Sequence, residues 1–320
     1  MIGYIFRRIV YGFFILLGVN ALTFALFFAV NTPDDMARLS IGGRYVTQQA
    51  IDSWKKERGY DVPLIFNSAA EGTGKFTETI FFRRSAPLLA GDFGLSDTGR
   101  SINTEIKERA PASLALALPT FLLGVFVSVS FALILVMVRR TRLEWAGVAM
   151  SVTVMSISAL FYIIVGQWLF SKTLRWVPVS GFSEGFAMAA FLVLPVAIGV
   201  FTRLGGEAMF LEESEKDYVR TARAKGVSEM RVLFRHVLGN AMLPVITSTV
   251  AVIPMLFMGS LIMENFFGIP GLGSYTIDAI NAQDFSVVRA MVFLGTAAYI
   301  LGLILTDVAY TVVDPRIRLK

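Results

Sequence analysis

The sequence predicts an all-α polytopic membrane protein: six transmembrane helices, with an extracytoplasmic insertion between the first and second. Three observations predict it. Of 320 residues, 55% are hydrophobic and only 17% charged, against about 45–50% and about 25% in a soluble domain. Six windows carry no charge, counting His236 as neutral: Ile9–Pro33, Ala110–Val138, Trp145–Ser171, Gly185–Thr202, His236–Met263 and Ala290–Thr306. Basic residues gather in alternate segments between those windows.

A helix needs about 20 mostly apolar residues to cross a hydrocarbon core of about 30 Å. The first, second, third and fifth windows exceed that, and the fourth and sixth lie near the lower limit. The sixth lengthens through Asp307 to Val313 if that one acid is tolerated. Backbone polar groups in lipid must be satisfied internally, so the windows are expected to be helical.

Orientation follows from the positive-inside rule, which counts short loops and flanks. Arg7 and Arg8 precede the first window, and Arg139, Arg140 and Arg142 follow the second. Arg203, Lys216, Arg220, Arg223, Lys225, Arg231 and Arg235 lie between the fourth and fifth, and Arg316, Arg318 and Lys320 form the tail. Six crossings put all of these on one side, so both termini are expected to be cytoplasmic. The net charge of +5 then reflects orientation rather than nucleic-acid binding. The first apolar run exceeds the 7–15 residues usual in a signal peptide and has no cleavage pattern, so it reads as a retained span.

Three parts follow: residues 1–30 as tail and first span, 31–109 as an extracytoplasmic cap, and 110–320 as a five-helix core with a cytoplasmic loop at 203–240. Asn31–Arg109 holds 11 basic and 11 acidic residues and is too long for a plain loop. It contains a helix pattern at Thr47–Arg58, with Thr47 as N-cap and Gly59 as stop. Turn signals stand at Gly42-Gly43, Gly72-Thr73-Gly74 and Gly91-Asp92-Phe93-Gly94. The loop Lys172–Glu184 carries Trp176 near a span end, as an interfacial anchor or a packing residue.

Enzymatic chemistry finds no footing. His236 is the only histidine and there is no cysteine, so no His-based triad, two-His metal site or thiolate site forms within the chain. No Walker lysine loop occurs, so ATP hydrolysis would need another subunit. Gly268-Ile269-Pro270-Gly271-Leu272-Gly273 lacks the strand–turn–helix setting of a phosphate cradle and reads as a tight turn.

The segment Tyr218–Pro244 carries the most functional information. Glu212, Glu213, Glu215 and Asp217 suit a helix start. Arg220, Arg223 and Lys225 form a basic side, and Ala222 and Ala224 are small enough for close approach by a partner. Gly226 breaks the helix. Ser228 is placed to cap a second helix, Glu229–Leu238, with Arg231 and Arg235 at i, i+4. Such an element either docks onto a soluble partner or lies on anionic headgroups.

Tyr218-Val219-Arg220-Thr221-Ala222-Arg223-Ala224-Lys225-Gly226, then Arg235-His236-Val237-Leu238-Gly239-Asn240-Ala241-Met242-Leu243-Pro244, resembles the ATPase-coupling loop of permeases from dipeptide and oligopeptide ABC importers. Ile5-Phe6-Arg7-Arg8, Gly91-Asp92-Phe93-Gly94, Glu264-Asn265-Phe266-Phe267-Gly268-Ile269-Pro270-Gly271-Leu272-Gly273 and Asp314-Pro315-Arg316-Ile317-Arg318 resemble further stretches of that family. The chain departs from it after the first span, at Asn31-Thr32-Pro33-Asp34-Asp35. It departs again within the third, where Ile157-Ser158-Ala159-Leu160-Phe161-Tyr162 replaces a Pro-rich turn.

The resemblance implies a bacterial inner-membrane permease subunit that forms half of a peptide pathway. It implies a second homologous permease, two ATP-binding subunits and an extracytoplasmic solute-binding protein, with ATP and magnesium bound by the ATPases. The coupling residues would be Tyr218, Arg220, Thr221, Ala222, Arg223, Ala224, Lys225, Gly226, Arg235 and His236. Thr247, Val250, Ala251, Pro254, Met255, Met258 and Gly259 are the pathway candidates, with helix packing as their other reading. Glu264, Pro270, Gly271 and Gly273 form the extracytoplasmic turn, beside which the binding protein would touch Asn31–Arg109 and the Glu264–Asp284 loop. Two other classes compare with this one. An ABC permease for nickel, an opine or an oligosaccharide shares the architecture, though nickel would call for His or acidic ligands. An ion-coupled secondary transporter would need acids inside the bundle, where the sequence offers only Asp307.

Overall fold

The computed structural model describes residues 2–30, 32–42, 46–183, 185–204, 212 and 214–313. Among them the chain is helical, with one isolated bridge between Leu95 and Ser101. The helices are α1 (Ile2–Val30), α2 (Pro33–Ile41), α3 (Gln48–Arg58), α4 (Gly74–Thr77), α5 (Ile80–Leu89), α6 (Ile102–Met137), α7 (Arg142–Ser156), α8 (Ala159–Gly166) and α9 (Met188–Phe201). They continue as α10 (Asp217–Ala224), α11 (Glu229–Arg231), α12 (Leu238–Val252), α13 (Leu261–Phe267), α14 (Leu272–Asn281) and α15 (Phe285–Val313).

Three helices are long and apolar enough to cross a membrane unbroken: Gly3–Val30, Ile102–Met137 and Phe285–Tyr310. Two bent pairs raise the number to five, and Gly185–Phe201 is a shorter apolar helix. The expectation of six plain spans is therefore corrected at two windows.

The third window breaks between α7 and α8, which diverge by 92°. The residues before the break explain it. The Ser151, Thr153 and Ser156 hydroxyls donate to the carbonyls of Gly147, Ala149 and Val152, four residues back. Such back-bonding weakens and bends a helix. Ile157 is then extended, and Ser158 starts α8 by accepting from the Leu160 amide at 3.3 Å.

The fifth window divides as well. After α12 the backbone tightens to a 3₁₀ turn over Ile253–Met258 that opens on Pro254, then stops at Gly259 with φ +70°. The flanking helical pieces diverge by 44°. Proline removes a ladder donor and glycine supplies the positive φ.

The chain divides into two compact units, Met1–Glu108 with Thr276–Ile300 and Arg109–Tyr275 with Leu301–Lys320. In the first, Thr32 caps α2 through a reciprocal capping box with Asp35, and Pro33 occupies the first turn, a favoured arrangement. α3 begins at its Thr47 cap and ends on left-handed Gly59, as its sequence signals predict. Ile51, Ile80 and Ala37 are fully or almost fully buried. Lys55 pairs with Asp34 at 2.8 Å and Trp54 stacks on Tyr60. Asp97 pairs with Arg58 at 3.0 Å and accepts nothing from Asp284, whose carboxylate instead takes the Asp97 amide at 2.8 Å. Burial, then the Asp284 charge, push the Asp97 carboxyl above its ordinary value against the pull of Arg58 and Arg84.

The second unit holds two apolar cores. One gathers Ala112, Leu116, Ile163, Leu192, Leu194, Ile198, Phe267 and Ile269. The other gathers Ala132, Val136, Val219, Ala222, Val232, Leu233, Val237 and Ala241. The second core is what holds the basic segment in place.

Candidate functional site

The basic segment is two short helices folded back through a glycine turn. α10 starts at Asp217, whose acid suits the positive helix end, and its C-cap is Lys225. Gly226 has φ +76°, a conformation that glycine adopts without the Cβ penalty. Its amide donates to the Arg223 carbonyl at 2.9 Å, and the Val227 amide donates to the Ala222 carbonyl at 3.2 Å.

Ser228 stands at the N-cap of the second helix, but its hydroxyl makes no capping bond. The predicted regular helix Glu229–Leu238 is corrected: beyond Arg231 the backbone widens to a π-helix over Val232–Val237. The i, i+4 facing of Arg231 and Arg235 therefore does not hold, because a π turn takes in an extra residue. The His236 carbonyl accepts from the Tyr218 hydroxyl at 3.3 Å and from the Asn240 side-chain amide at 2.8 Å. That ties the first helix to the widened stretch.

Side-chain placement separates the coupling candidates. Arg220, Thr221, Ala224, Lys225, Gly226 and Arg235 are exposed, as is Tyr218, and His236 is half-buried. Ala222, expected to face a partner, is instead 7% exposed and packs in the second core. Arg223 spans the glycine turn to Glu229, with Nε to Oε1 at 2.9 Å and a second guanidinium nitrogen to Oε2 at 3.2 Å. This two-pronged pair is a strut across the turn, since a planar guanidinium matches a carboxylate's geometry.

Sequence reasoning missed two exposed apolar neighbours, Met230 and Phe234; their interspersion with arginines was the available signal. Arg139, just past α6, donates to the Ser214 hydroxyl at 2.6 Å and pairs with Glu215. Burial holds its guanidinium below the ordinary arginine value; Glu144 opposes this, and Arg140, Arg223 and Arg220 add to it. A cleft of about 510 Å3 opens here, with Val136, Leu233 and Val237 as apolar walls and Arg139, Arg140, Arg220 and Arg223 as its basic rim.

The predicted glycine turn has a different interior from the one expected. Gly268 is left-handed and caps α13. Glu264 is not displayed on the turn but is 0% exposed. Its Oε1 accepts from the Ser260 amide at 3.1 Å, and its Oε2 from the Gly273 and Ser274 amides at 2.7 and 3.0 Å. The carboxylate thus sits on the N-terminus of α14, where amides and helix dipole favour an anion. Ser113 of α6 is also fully buried and accepts from the Leu272 amide at 2.8 Å.

Gly271 and Gly273 are buried because nothing larger fits. A Cβ on Gly271 would collide with the Glu264 carboxylate, and one on Gly273 would lie 2.6 Å from the Ser260 carbonyl carbon. Only Pro270 of the four turn residues is exposed. Glu264 lies on Leu261–Phe267, the second piece of a bent apolar pair.

Of the pathway candidates, Met255, Met258 and Gly259 line one cavity of about 380 Å3. Pro254 is buried, while Val250 and Ala251 are half-buried and do not line it. The Thr247 side chain lies outside the described residues. The cavity's other walls come from α6 and α9, at Leu116, Thr120, Pro195 and Gly199. Among the described residues, no group of three or more His, Asp or Glu side chains could hold a metal ion.

Comparison with known proteins gives the same answer along the whole chain. Residues 112–319 match the family described as binding-protein-dependent transport system inner membrane component. Residues 1–117 match the N-terminal family of binding-protein-dependent transport system membrane components. The glutathione transport system permease protein GsiC of Salmonella paratyphi A is 31% identical over 322 residues, covering 100% of both chains. A putative peptide transport system permease protein of Brucella abortus is 30% identical over 328 residues, covering 99% of each. The oligopeptide transport system permease protein AppB of Bacillus subtilis is 28% identical over 331 residues, covering 99% of this chain and 100% of its own.

Proposed function

The chain belongs to the binding-protein-dependent transport system inner membrane component family, and from that premise we propose that it forms half of the transmembrane pathway of an ABC importer for peptides. A second, homologous permease supplies the other half. Two ATPase subunits bind ATP and magnesium, and an extracytoplasmic binding protein delivers the cargo. Full-length identity of about 30% to permeases named for peptide or glutathione transport is the observation that carries this reading.

The topology proposed is six crossings with both termini cytoplasmic. Gly185–Phe201 and the two bent pairs count as crossings beside the three unbroken helices. Residues 31–109 then face outward as a cap for the binding protein. The exposed side of α10 and the π-helical stretch faces the ATPases. Its support is the combination of a rigid base and a basic exterior. Val219, Val232 and Val237 are each 0% exposed, so the element cannot rock independently of the spans beneath it. ATP-driven closure of the ATPases moves this element, and α12 carries the motion directly, because the π-helix runs into it without a loop. A conformational change driven by a partner needs a contact whose affinity differs between two states, and a stiff lever transmits that difference.

Membrane vesicles containing this chain, the second permease, both ATPases and the binding protein are expected to accumulate a labelled tripeptide only when ATP is present. Omission of any one component reduces accumulation to the ATP-free level. Uptake that persists without the ATPases, driven by an ion gradient, contradicts the reading.

A further inference from the structure

Arg203 follows the end of α9 and turns its side chain inward onto α6. Counted with the cytoplasmic cations, it instead places its guanidinium carbon 5.9 Å from the centre of the Phe121 ring. Its stem runs past Gly124, where a Cβ would sit 3.0 Å from Arg203 Cδ. Gly124 precedes the end of α6 at Met137 by 13 residues, which at 1.5 Å per residue is about 20 Å. Ala110, where the charge-free window of the same helix begins, lies a similar distance on the other side. Arg203 thus follows directly on the apolar helix Gly185–Phe201 and turns its side chain back along α6.

A charged side chain carried by a membrane-spanning bundle faces protein or a water-filled path rather than acyl chains. Arg203 is exposed on this chain, and what it opens into is the cavity lined by Leu116, Thr120, Gly199, Met255 and Met258. No acid lines that cavity, and no neighbouring charge acts on Arg203 among the described residues. The hydroxyls nearby are engaged: Thr120 donates to the Leu116 carbonyl at 2.7 Å, Thr202 to the Gly199 carbonyl at 3.2 Å, and Ser260 accepts from the Met263 amide at 3.3 Å. One cation thus stands in a largely apolar, methionine-walled chamber of about 380 Å3.

We propose that Arg203 is the anion-recognition group of the translocation cavity and binds the terminal carboxylate of a peptide in transit. The proposal rests on the reading of the chain as a peptide-importer permease. Every linear peptide has that carboxylate whatever its sequence, so a single cation serves a varied cargo. The guanidinium fork matches it two oxygens to two N–H groups. Met255 and Met258 complement it, because flexible thioether side chains repack around dissimilar apolar groups. Gly124 makes room for the arginine stem.

The test uses the complete importer in proteoliposomes, with the binding protein saturated by trialanine or by trialanine amide. The wild type is expected to transport the free acid in preference to the amide. Arg203→Gln lowers free-acid uptake by about tenfold, the size of one charge-assisted hydrogen bond, and leaves amide uptake unchanged, so the ratio collapses toward one. Arg203→Lys keeps part of the preference. Gly124→Ala, which crowds the stem but leaves the charge, reduces the same ratio and carries the test if Arg203→Gln fails to insert. An equal fall for both peptides, or an unchanged ratio, overturns the proposal and marks Arg203 as the partner of a protein acid or as structural. A wild-type importer that moves neither peptide overturns the peptide reading itself, and the arginine proposal with it.

Discussion

Gly226→Val is expected to lower ATP-driven uptake by at least about tenfold while the protein inserts at wild-type levels. Gly226 holds φ +76° at the turn between α10 and α11. Left-handed backbone costs an ordinary side chain roughly 1–2 kcal/mol, and a β-branched residue is a genuine outlier there. Among the described residues nothing lies within 4 Å of a Cβ at this position, so the obstacle is the backbone angle rather than a clash. Relief of the strain would unfold the turn and separate Arg223 from Glu229. Asparagine tolerates the left-handed region, so Gly226→Asn is expected to retain most uptake. Quantitative blotting of membranes together with vesicle uptake checks both variants. Full transport by Gly226→Val contradicts the expected need for this angle.

Glu264→Ala is expected to have the largest effect on the protein itself. It would leave the buried amide of Gly273 and the part-buried amides of Ser260 and Ser274 without their acceptor. A hydrogen bond to a charged group contributes about 1.5–3 kcal/mol, so three together amount to several kcal/mol even with incomplete additivity. That is on the scale of a domain's whole net stability. The chain should disappear from membranes, or lose its sharp melting transition in detergent. Glu264→Gln keeps one acceptor oxygen and should fall between. Size-exclusion profiles after a temperature series read the difference. Wild-type melting of Glu264→Ala would show that the carboxylate does not hold the Ser260 and Gly273 turns together.

The helical class was legible because charge-free windows are a direct record of which segments tolerate lipid. The helix Gln48–Arg58 was legible because Thr47 and Gly59 are local signals that act on their own neighbours. The 92° break at Ile157 was not, since an apolar window counts side chains and ignores hydroxyls that turn inward on their own backbone. The widening over Val232–Val237 leaves no mark in composition. Burial direction was also hidden: Ala222 is small either for a partner or for a core, and only packing against Val219 and Ala132 decides. The burial of Glu264 left no mark in the sequence, because its three donors are backbone amides, which every sequence contains. Arg203 was counted with the loop that follows it, because a linear sequence assigns a residue to a segment but does not show that its side chain turns back onto Phe121 and Gly124.

Retention of the ATPases by this chain tests the docking claim most directly. The wild-type chain, tagged and co-expressed with the second permease and both ATPases, is expected to retain the ATPases through purification. The triple change Arg220→Glu, Arg231→Glu and Arg235→Glu alters three exposed residues outside the buried core. It is expected to release the ATPases while the two permeases stay together. ATPase recovery equal to wild type from the triple variant, with uptake intact, would contradict the account, because the basic face would then lie on lipid headgroups and not on the subunits that supply the energy.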